Sequence, residues 1–229
     1  MRFAVAGATK ESEFTPSHPT PTPATRLPAQ TLVRPASRSL VARPRSFNPD
    51  CALDAARAVF ETHGYEATSV QTLVDATGLS RSSLYAAFGD KQALYLAALD
   101  RYRQAGRATL AQRLAGAPTP LDGIRAALDA AASDRPCFAF NAAADRSATC
   151  PDTARRAAEG WAGTRDAFAD ALRRAQATTA LGADCDADAL ADTLAATLYG
   201  LHGMRQAGTS EQARRRVVAT AFEALIGGV

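Results

Sequence analysis

The sequence predicts an all-α protein: an N-terminal three-helix domain built on a helix-turn-helix, followed by a C-terminal helical domain. Three observations carry this reading. Between Thr68 and Tyr95, each short apolar stripe is bounded by a capping residue in front and a glycine behind. From Lys91 onward, apolar residues recur at helical spacing. Nowhere do apolar and polar residues alternate as in a strand, which excludes a parallel sheet. A length of 229 residues with 47% hydrophobic content supplies an ample core for one domain with an appendage, or for two modest domains. The longest apolar runs are too short to span a membrane.

Residues 1–46 differ from the rest. They hold seven of the twelve prolines, with seven basic and two acidic side chains. Such a segment buries too little apolar surface to offset its ordering entropy. It reads as a disordered extension, or as a translation start assigned too far upstream. A sharper alternative makes Arg38, Arg43 and Arg45 a basic arm that touches phosphates or the minor groove. The apolar run Phe3–Ala8 is too short for a secretory signal, so no export is implied and a cytoplasmic location is expected. The whole chain carries +3. The part after residue 46 is therefore slightly acidic, and bulk electrostatics alone do not suggest a nucleic-acid partner.

The first helix is expected to begin at Asn48, an N-cap, with Pro49 in the first turn where a missing N–H costs nothing. Ala52, Leu53, Ala56, Val59 and Phe60 form its inward face, and Gly64 closes it. His63 at its end meets the helix dipole favourably and reads as structural. Thr68 with Gln71 three residues later predicts a capping box. Val70, Leu73 and Val74 follow as a stripe, and Gly78 ends that helix in the left-handed conformation. Ser80 caps the next helix, Arg81 to Phe88, which turns Leu84 and Phe88 inward and presents Arg81, Ser82 and Tyr85 outward. Gly89 and Asp90 then lead into a helix starting at Lys91. Two short helices joined by a tight glycine turn are a helix-turn-helix, whose second helix enters the DNA major groove.

Thr68-Ser69-Val70, Gly78-Leu79-Ser80, Leu84-Tyr85, Phe88, Lys91 and Leu94 together resemble the DNA-binding domain of the TetR (tetracycline repressor) family of bacterial transcription regulators. The resemblance covers about residues 47–107, and the family's frequent His or Tyr is replaced here by Ala87. It implies a homodimeric, ligand-responsive regulator, most often a repressor, of a near-palindromic operator in double-stranded DNA. Tyr85, Lys91 and the Thr68 helix start would hold phosphates, while Arg81 and Ser82 read base edges beside Ser80. Lys91 is one of two lysines in the chain; at a helix start it opposes the dipole, a cost that a phosphate contact would offset.

Beyond Lys91 the expected helices cover residues 91–114, 121–133, 137–144, 150–180, 187–207 and 210–226. Residues 108–229 would form the effector-binding and dimerisation domain. Leu190, Leu194, Leu198 and Leu201 make one stripe, and Val217, Val218, Ala221, Phe222 and Leu225 another. Two such helices suit a four-helix bundle formed with a second copy, as the resemblance also implies. Arg135-Pro136-Cys137-Phe138-Ala139-Phe140-Asn141 resembles the Gly-Cys-(Leu/Phe)-x-x-Asn segment of one branch of the family, with Pro136 in place of the Gly; some members of that branch respond to electrophiles or oxidants through cysteine. Cys137 is either such a sensor or a buried structural thiol. Phe138, Phe140, Trp161, Phe168, Tyr199 and Met204 either line a cavity for an unknown small-molecule effector or pack a core. Asn141 and His202 are the polar groups best suited to orient a ligand.

Other chemistry finds little support. The four cysteines are separated by 86, 13 and 35 residues, and no paired ligand spacing exists. No metal site and no cofactor are expected. Asp184, Asp186 and Asp188 lack the glycine and the later glutamate of a calcium loop. With three histidines, no nucleophile–base–acid set can be assembled. Two functions remain: the DNA-binding regulator, and an all-helical ligand-binding protein or enzyme that makes no use of DNA.

Overall fold

The computed structural model describes residues 48–226, and among these the chain is helix and turn without strand. In chain order the helices are α1 (Pro49–His63), α2 (Val70–Thr77), α3 (Arg81–Phe88), α4 (Lys91–Gly116), α5 (Pro120–Ala131), α6 (Phe138–Arg146), α7 (Pro151–Ala177), α8 (Ala187–Gln206) and α9 (Glu211–Ile226). The expected basic arm of Arg38, Arg43 and Arg45 lies outside the described residues, as does the side chain of Leu225.

Local chemistry sets most boundaries. Asn48 accepts the amide of Asp50, and Pro49 occupies the first turn of α1. Gly78 ends α2 at φ 68°, ψ 10°, and its N–H returns to the carbonyl of Val74. Ser80 and Asp90 cap α3 and α4 by accepting the amides of Ser83 and Ala93. One expectation is displaced by a residue. The N-cap of α2 is Ser69, which accepts from Thr72 N at 3.0 Å. Thr68 is buried, its hydroxyl donating to the Gly64 carbonyl at 2.6 Å, and Gln71 donates to Asp75 instead of closing a capping box.

Two apolar cores result. The first joins Ala56 and Phe60 of α1, Leu73 of α2, Leu84 of α3, and Leu94, Tyr95, Ala98 and Leu99 of α4. Phe138 and Ala142 of α6 belong to it too, so a helix from the second half of the chain seals the helix-turn-helix core. The second core gathers Leu114, Ile124, Leu128, Phe168, Leu172, Leu194, Leu201 and Val218 from α4, α5, α7, α8 and α9. α4 runs through both cores. Each fully buried leucine or phenylalanine contributes roughly 1.5–3 kcal/mol. Arg101 of α4 ties α1 down with a two-pronged contact to Asp54 at 2.7 and 2.8 Å and a third bond to Asp50. That guanidinium holds the Asp54 carboxyl below its usual range.

The C-terminal stripes are used differently from the expectation. Leu194, Leu201 and Val218 are spent within the chain's own core, with Leu190, Leu198 and Phe222 packed against it. The outward face of α8 is instead Ala189, Thr193, Ala196 and Gly200, and that of α9 includes Val217. An apolar stripe reports burial, and for Leu194, Leu201 and Val218 the apolar partners lie in the same chain.

Candidate functional site

α3 is eight residues long and buries one of them, Leu84. Arg81, Ser82, Ser83, Ala86 and Ala87 are exposed, and Tyr85 is half-buried. The Arg81 guanidinium stands 5.6 Å from the centre of the Tyr85 ring one turn on, so the two side chains share a face. Ser80 sits within 2.9 Å of the hydroxyls of both Ser82 and Ser83, which places three hydroxyls at the start of the helix. The turn before α3 is compact because Gly78 adopts a conformation closed to most side chains. The result is a capped, polar, outward ridge of a size that a major groove admits.

Lys91 is half-buried, and its ammonium lies 4.3 Å from the centre of the Tyr65 ring. The guanidinium of Arg146, from α6, lies 3.6 Å from the same ring and bonds Glu66 at 2.8 Å. The cost of a cation at the α4 N-terminus is thus met in part by an aromatic face, worth about 0.5–1 kcal/mol at an exposed site. Sequence reasoning passed over Tyr65 and Arg146. The available signal was spacing: Phe138, Ala142 and Arg146 lie four apart on the buried face of α6.

The expected effector residues separate into groups. Phe168 is in the middle of the second core, and Phe138 packs edge-on against Tyr95 and Tyr102 at 5.4 and 5.7 Å in the first. Both are packing residues rather than cavity lining. Trp161 is exposed at 37% and rests 5.3 Å from Tyr199. Phe140 and His202 face each other at 6.0 Å, and the buried atoms Asn141 Oδ1 and His202 Nδ1 have no protein partner. Burial pushes His202 down to about 4, so it is neutral at physiological pH. Near Tyr199 a cavity of about 20 Å³ lies among α4, α6, α7 and α8. A wider open groove of about 640 Å³ at the α4–α5 corner, beside Arg113 and Asp122, involves none of these residues.

Cys137 serves as the N-cap of α6, its Sγ accepting from Phe140 N at 3.4 Å. Burial pushes its thiol up from the ordinary value, which disfavours the thiolate that reactivity needs. Cys137 should therefore label far more slowly in the native protein than exposed Cys51, and react on unfolding. Peptide mapping after a short pulse of a thiol reagent checks this; equal labelling of the two would restore the sensor reading. All four cysteines are free thiols. Among the described residues no group of His, Cys, Asp or Glu could hold a metal ion, and no helix is long and apolar enough to cross a membrane.

A profile of bacterial regulatory proteins, tetR family, matches residues 52–98. A second, the tetracyclin repressor-like C-terminal domain, matches residues 121–221. The HTH-type transcriptional regulator YezE of Bacillus subtilis (strain 168) is 32% identical over 157 residues, 65% of this chain and 81% of that protein. The chain belongs to the TetR family. Its helix-turn-helix is the family's N-terminal DNA-binding domain, and the helices after it are the family's C-terminal domain. The HTH-type transcriptional repressor ComR of Escherichia coli (strain K12) is 53% identical over 60 residues. That match covers 26% of this chain and 29% of ComR, so it speaks for one segment alone. The fold is also that of the TetR family transcriptional regulator CifR, in a cysteine mutant complexed with a 26-base-pair double-strand operator DNA. The TM-score is 0.72 and the identity 30%, over 80% of this chain and 99% of CifR.

Proposed function

We propose that this TetR-family chain is a homodimeric transcriptional repressor that binds a near-palindromic operator and is released by a small-molecule effector. The observation that carries the reading is the outward face of α3, where Arg81, Ser82 and Tyr85 project from a capped helix that spends only Leu84 on the interior. CifR, similar over nearly its whole length, was captured on operator DNA. Residues 47–107 act as the DNA-binding domain and 108–229 as the effector and dimer domain. Two copies must set their α3 helices about 34 Å apart, one turn of duplex. Regulation in the cytoplasm without catalysis completes the reading, supported by the regulatory relatives and by the lack of any assembled catalytic set in the sequence.

Arg81 and Ser82 read base edges; Ser80 orders the hydroxyls beside them; Tyr85 and Lys91 hold phosphates. Thr68 is buried, so the α2 start offers phosphate its exposed Ser69 and first-turn amides. Arg81→Ala should cost about 1–3 kcal/mol and relax preference at one operator position. Lys91→Ala should weaken binding to all sequences alike and lower the salt slope by about one. Titration of both variants against operator selected from random DNA, at several salt concentrations, checks this. Unchanged operator affinity in Arg81→Ala would sink the base-reading role, and an unchanged slope the phosphate role.

Effector control runs through α6. This helix carries Phe138 and Arg146 into the helix-turn-helix core, and Arg146 shares Tyr65 with Lys91. On its other side lie Asn141, Phe140 and His202, with Tyr199 and Trp161 beyond. A ligand that displaces α6 therefore alters the seating of α4 and Lys91. Moving occupancy from 1:99 to 99:1 requires a differential affinity of about 10⁴, roughly 5.5 kcal/mol. Cys137, with its thiol raised and capping α6, enters as a positioning group rather than a sensor.

A further inference from the structure

We infer that the cavity beside Gly160 is the recognition subsite for an effector bearing a carboxylate, that is, a small organic acid. This rests on the effector-control reading above and adds the chemistry of the ligand.

The cavity lies where four helices meet. α6 contributes Ala139 and Ala142, α7 Thr153 and Gly160, α4 Leu99 and Arg103, and α8 Tyr199. Its volume of about 20 Å³ exceeds the 10–15 Å³ or so that one small polar group or water occupies. The walls are mostly methyl and methylene groups, yet two polar atoms are buried there without a nitrogen or oxygen partner in the protein: Arg103 Nε, and Thr153 Oγ1, which has only the Cys150 sulfur in reach. Thr153 is 1% exposed, and the Arg103 side chain 9%. Orphaned buried polar atoms are uncommon, because each costs the desolvation of a group that water would have satisfied. Arg103 Nε faces the place left open by a glycine, and Thr153 lines the same cavity two helical turns away on α7. A Cβ on Gly160 would stand 3.4 Å from Tyr199 Oη and 3.8 Å from Arg103 Nε.

The donor set fixes the ligand's polarity. The ε N–H of Arg103 can only donate, and hydroxyls of Thr153 and Tyr199 can donate with it. Arg103 therefore requires an acceptor, and a carboxylate supplies one with lone pairs to spare for both hydroxyls. The surrounding charge favours an anion. Arg103 bonds Asp100 at 3.2 Å and Glu159 at 3.0 Å, and Arg156 bonds Asp100 through two contacts of 2.8 Å. Arg155 and Asp152 add one charge of each sign. Arg107 reaches the backbone carbonyl of Glu159 at 3.3 Å and has no carboxylate partner among the described residues. The cluster thus keeps one guanidinium in excess. The effector's apolar body would part α6 from α7 along Ala139, Ala142 and Ala157, moving the helix that carries Phe138 and Arg146.

The test uses the full chain, with benzoate and acetate as carboxylate probes and benzyl alcohol as the uncharged match to benzoate. Binding is followed by calorimetry and by the thermal midpoint. Benzoate should bind and raise the midpoint, and benzyl alcohol should do neither. Gly160→Ala is the blocking variant: the contacts of its added methyl are ordinary, alanine favours helix over glycine, and the free variant should melt no lower than wild type. It should bind benzoate about tenfold or more weakly, the loss of one hydrogen bond to a charged group. Thr153→Val, which removes the orphaned hydroxyl at nearly constant shape, should weaken benzoate likewise without lowering the midpoint. Equal binding of benzoate to wild type and Gly160→Ala would overturn the subsite. Equal binding of benzyl alcohol, or no binding of either carboxylate, would overturn the ligand class. Operator affinity of wild type, measured with and without benzoate, separates the two claims. Gly160-sensitive binding that leaves operator affinity unchanged would uphold the subsite and refute effector control through it. Release of operator by benzoate with Gly160-insensitive binding would uphold effector control by a carboxylate and refute the subsite.

Discussion

Phe138→Ala should destabilise the chain by about 3–5 kcal/mol, the range for truncating a buried phenylalanine. Phe138 is 1% exposed and meets Tyr95 and Tyr102 edge-on, so the loss combines transfer, cavity and aromatic-pair contributions. The site is poorly able to collapse, because Phe60, Leu94 and Tyr95 around it are held by α1 and α4. Urea unfolding monitored by circular dichroism gives the value. Phe138 is also where the C-terminal half reaches into the DNA-binding core. The variant should therefore lose operator affinity in conditions where it is still fully folded. A loss below about 1 kcal/mol, the scale of a surface change, would mean that α6 is only loosely docked on the helix-turn-helix.

The helix-turn-helix was legible because its signals are local. Asn48, Gly64, Gly78, Ser80, Gly89 and Asp90 each act through their own backbone or that of a residue within four positions. The slip at Thr68 has a tertiary cause. Thr68 and Ser69 are both good caps, and the choice fell to Ser69 because Thr68 turns inward to the Gly64 carbonyl. Longer-range features were less legible. Periodicity puts Phe138, Phe168, Leu194 and Leu201 inside, but it does not distinguish a core from a cavity wall or from a face covered by a second copy. Arg146 and Arg214 sit on buried faces among apolar neighbours, and an arginine in a stretch such as Gln212-Ala213-Arg214-Arg215-Arg216 reads as solvated. Its four-residue spacing to Val218 was the clue. The effector side was hardest, since the cavity at Gly160 depends on four helices distant in sequence, and glycine in a helix carries no sign of what its missing side chain admits.

Arg214→Met should cost about 2–4 kcal/mol, although it removes a buried charge. Arg214 is 0% exposed and its side chain 1%; Nε donates to the Ala132 carbonyl at 2.8 Å, and the terminal nitrogens donate to the Thr209 carbonyl and the Asp134 carboxylate. Two effects oppose each other. Burying a guanidinium is expensive, and replacing a whole buried ion pair by apolar side chains is often neutral. Here only one partner is buried, because the Asp134 side chain is 76% exposed and stays solvated when Arg214 is gone. What the substitution leaves behind is a pair of carbonyls, Ala132 and Thr209, that lose their donor, at about 1–3 kcal/mol for each that water cannot reach. Methionine matches the length and recovers some packing, which keeps the loss at the lower end of what breaking a buried contact can cost. The consequence is local as well as global. Arg214 fastens the segment after α5 to α9, and that segment leads directly into Cys137 and Phe138. Hydrogen exchange at Ala132 and Ser133, whose amides are bonded to the Leu128 and Ala130 carbonyls, should therefore quicken in Arg214→Met under conditions where the α7 amides remain protected. Chemical unfolding with m-value analysis measures the first effect. A loss under about 1 kcal/mol would show that desolvation of the guanidinium cancels its hydrogen bonds, and unchanged exchange at Ala132 and Ser133 would show that α9 does not hold this segment in place.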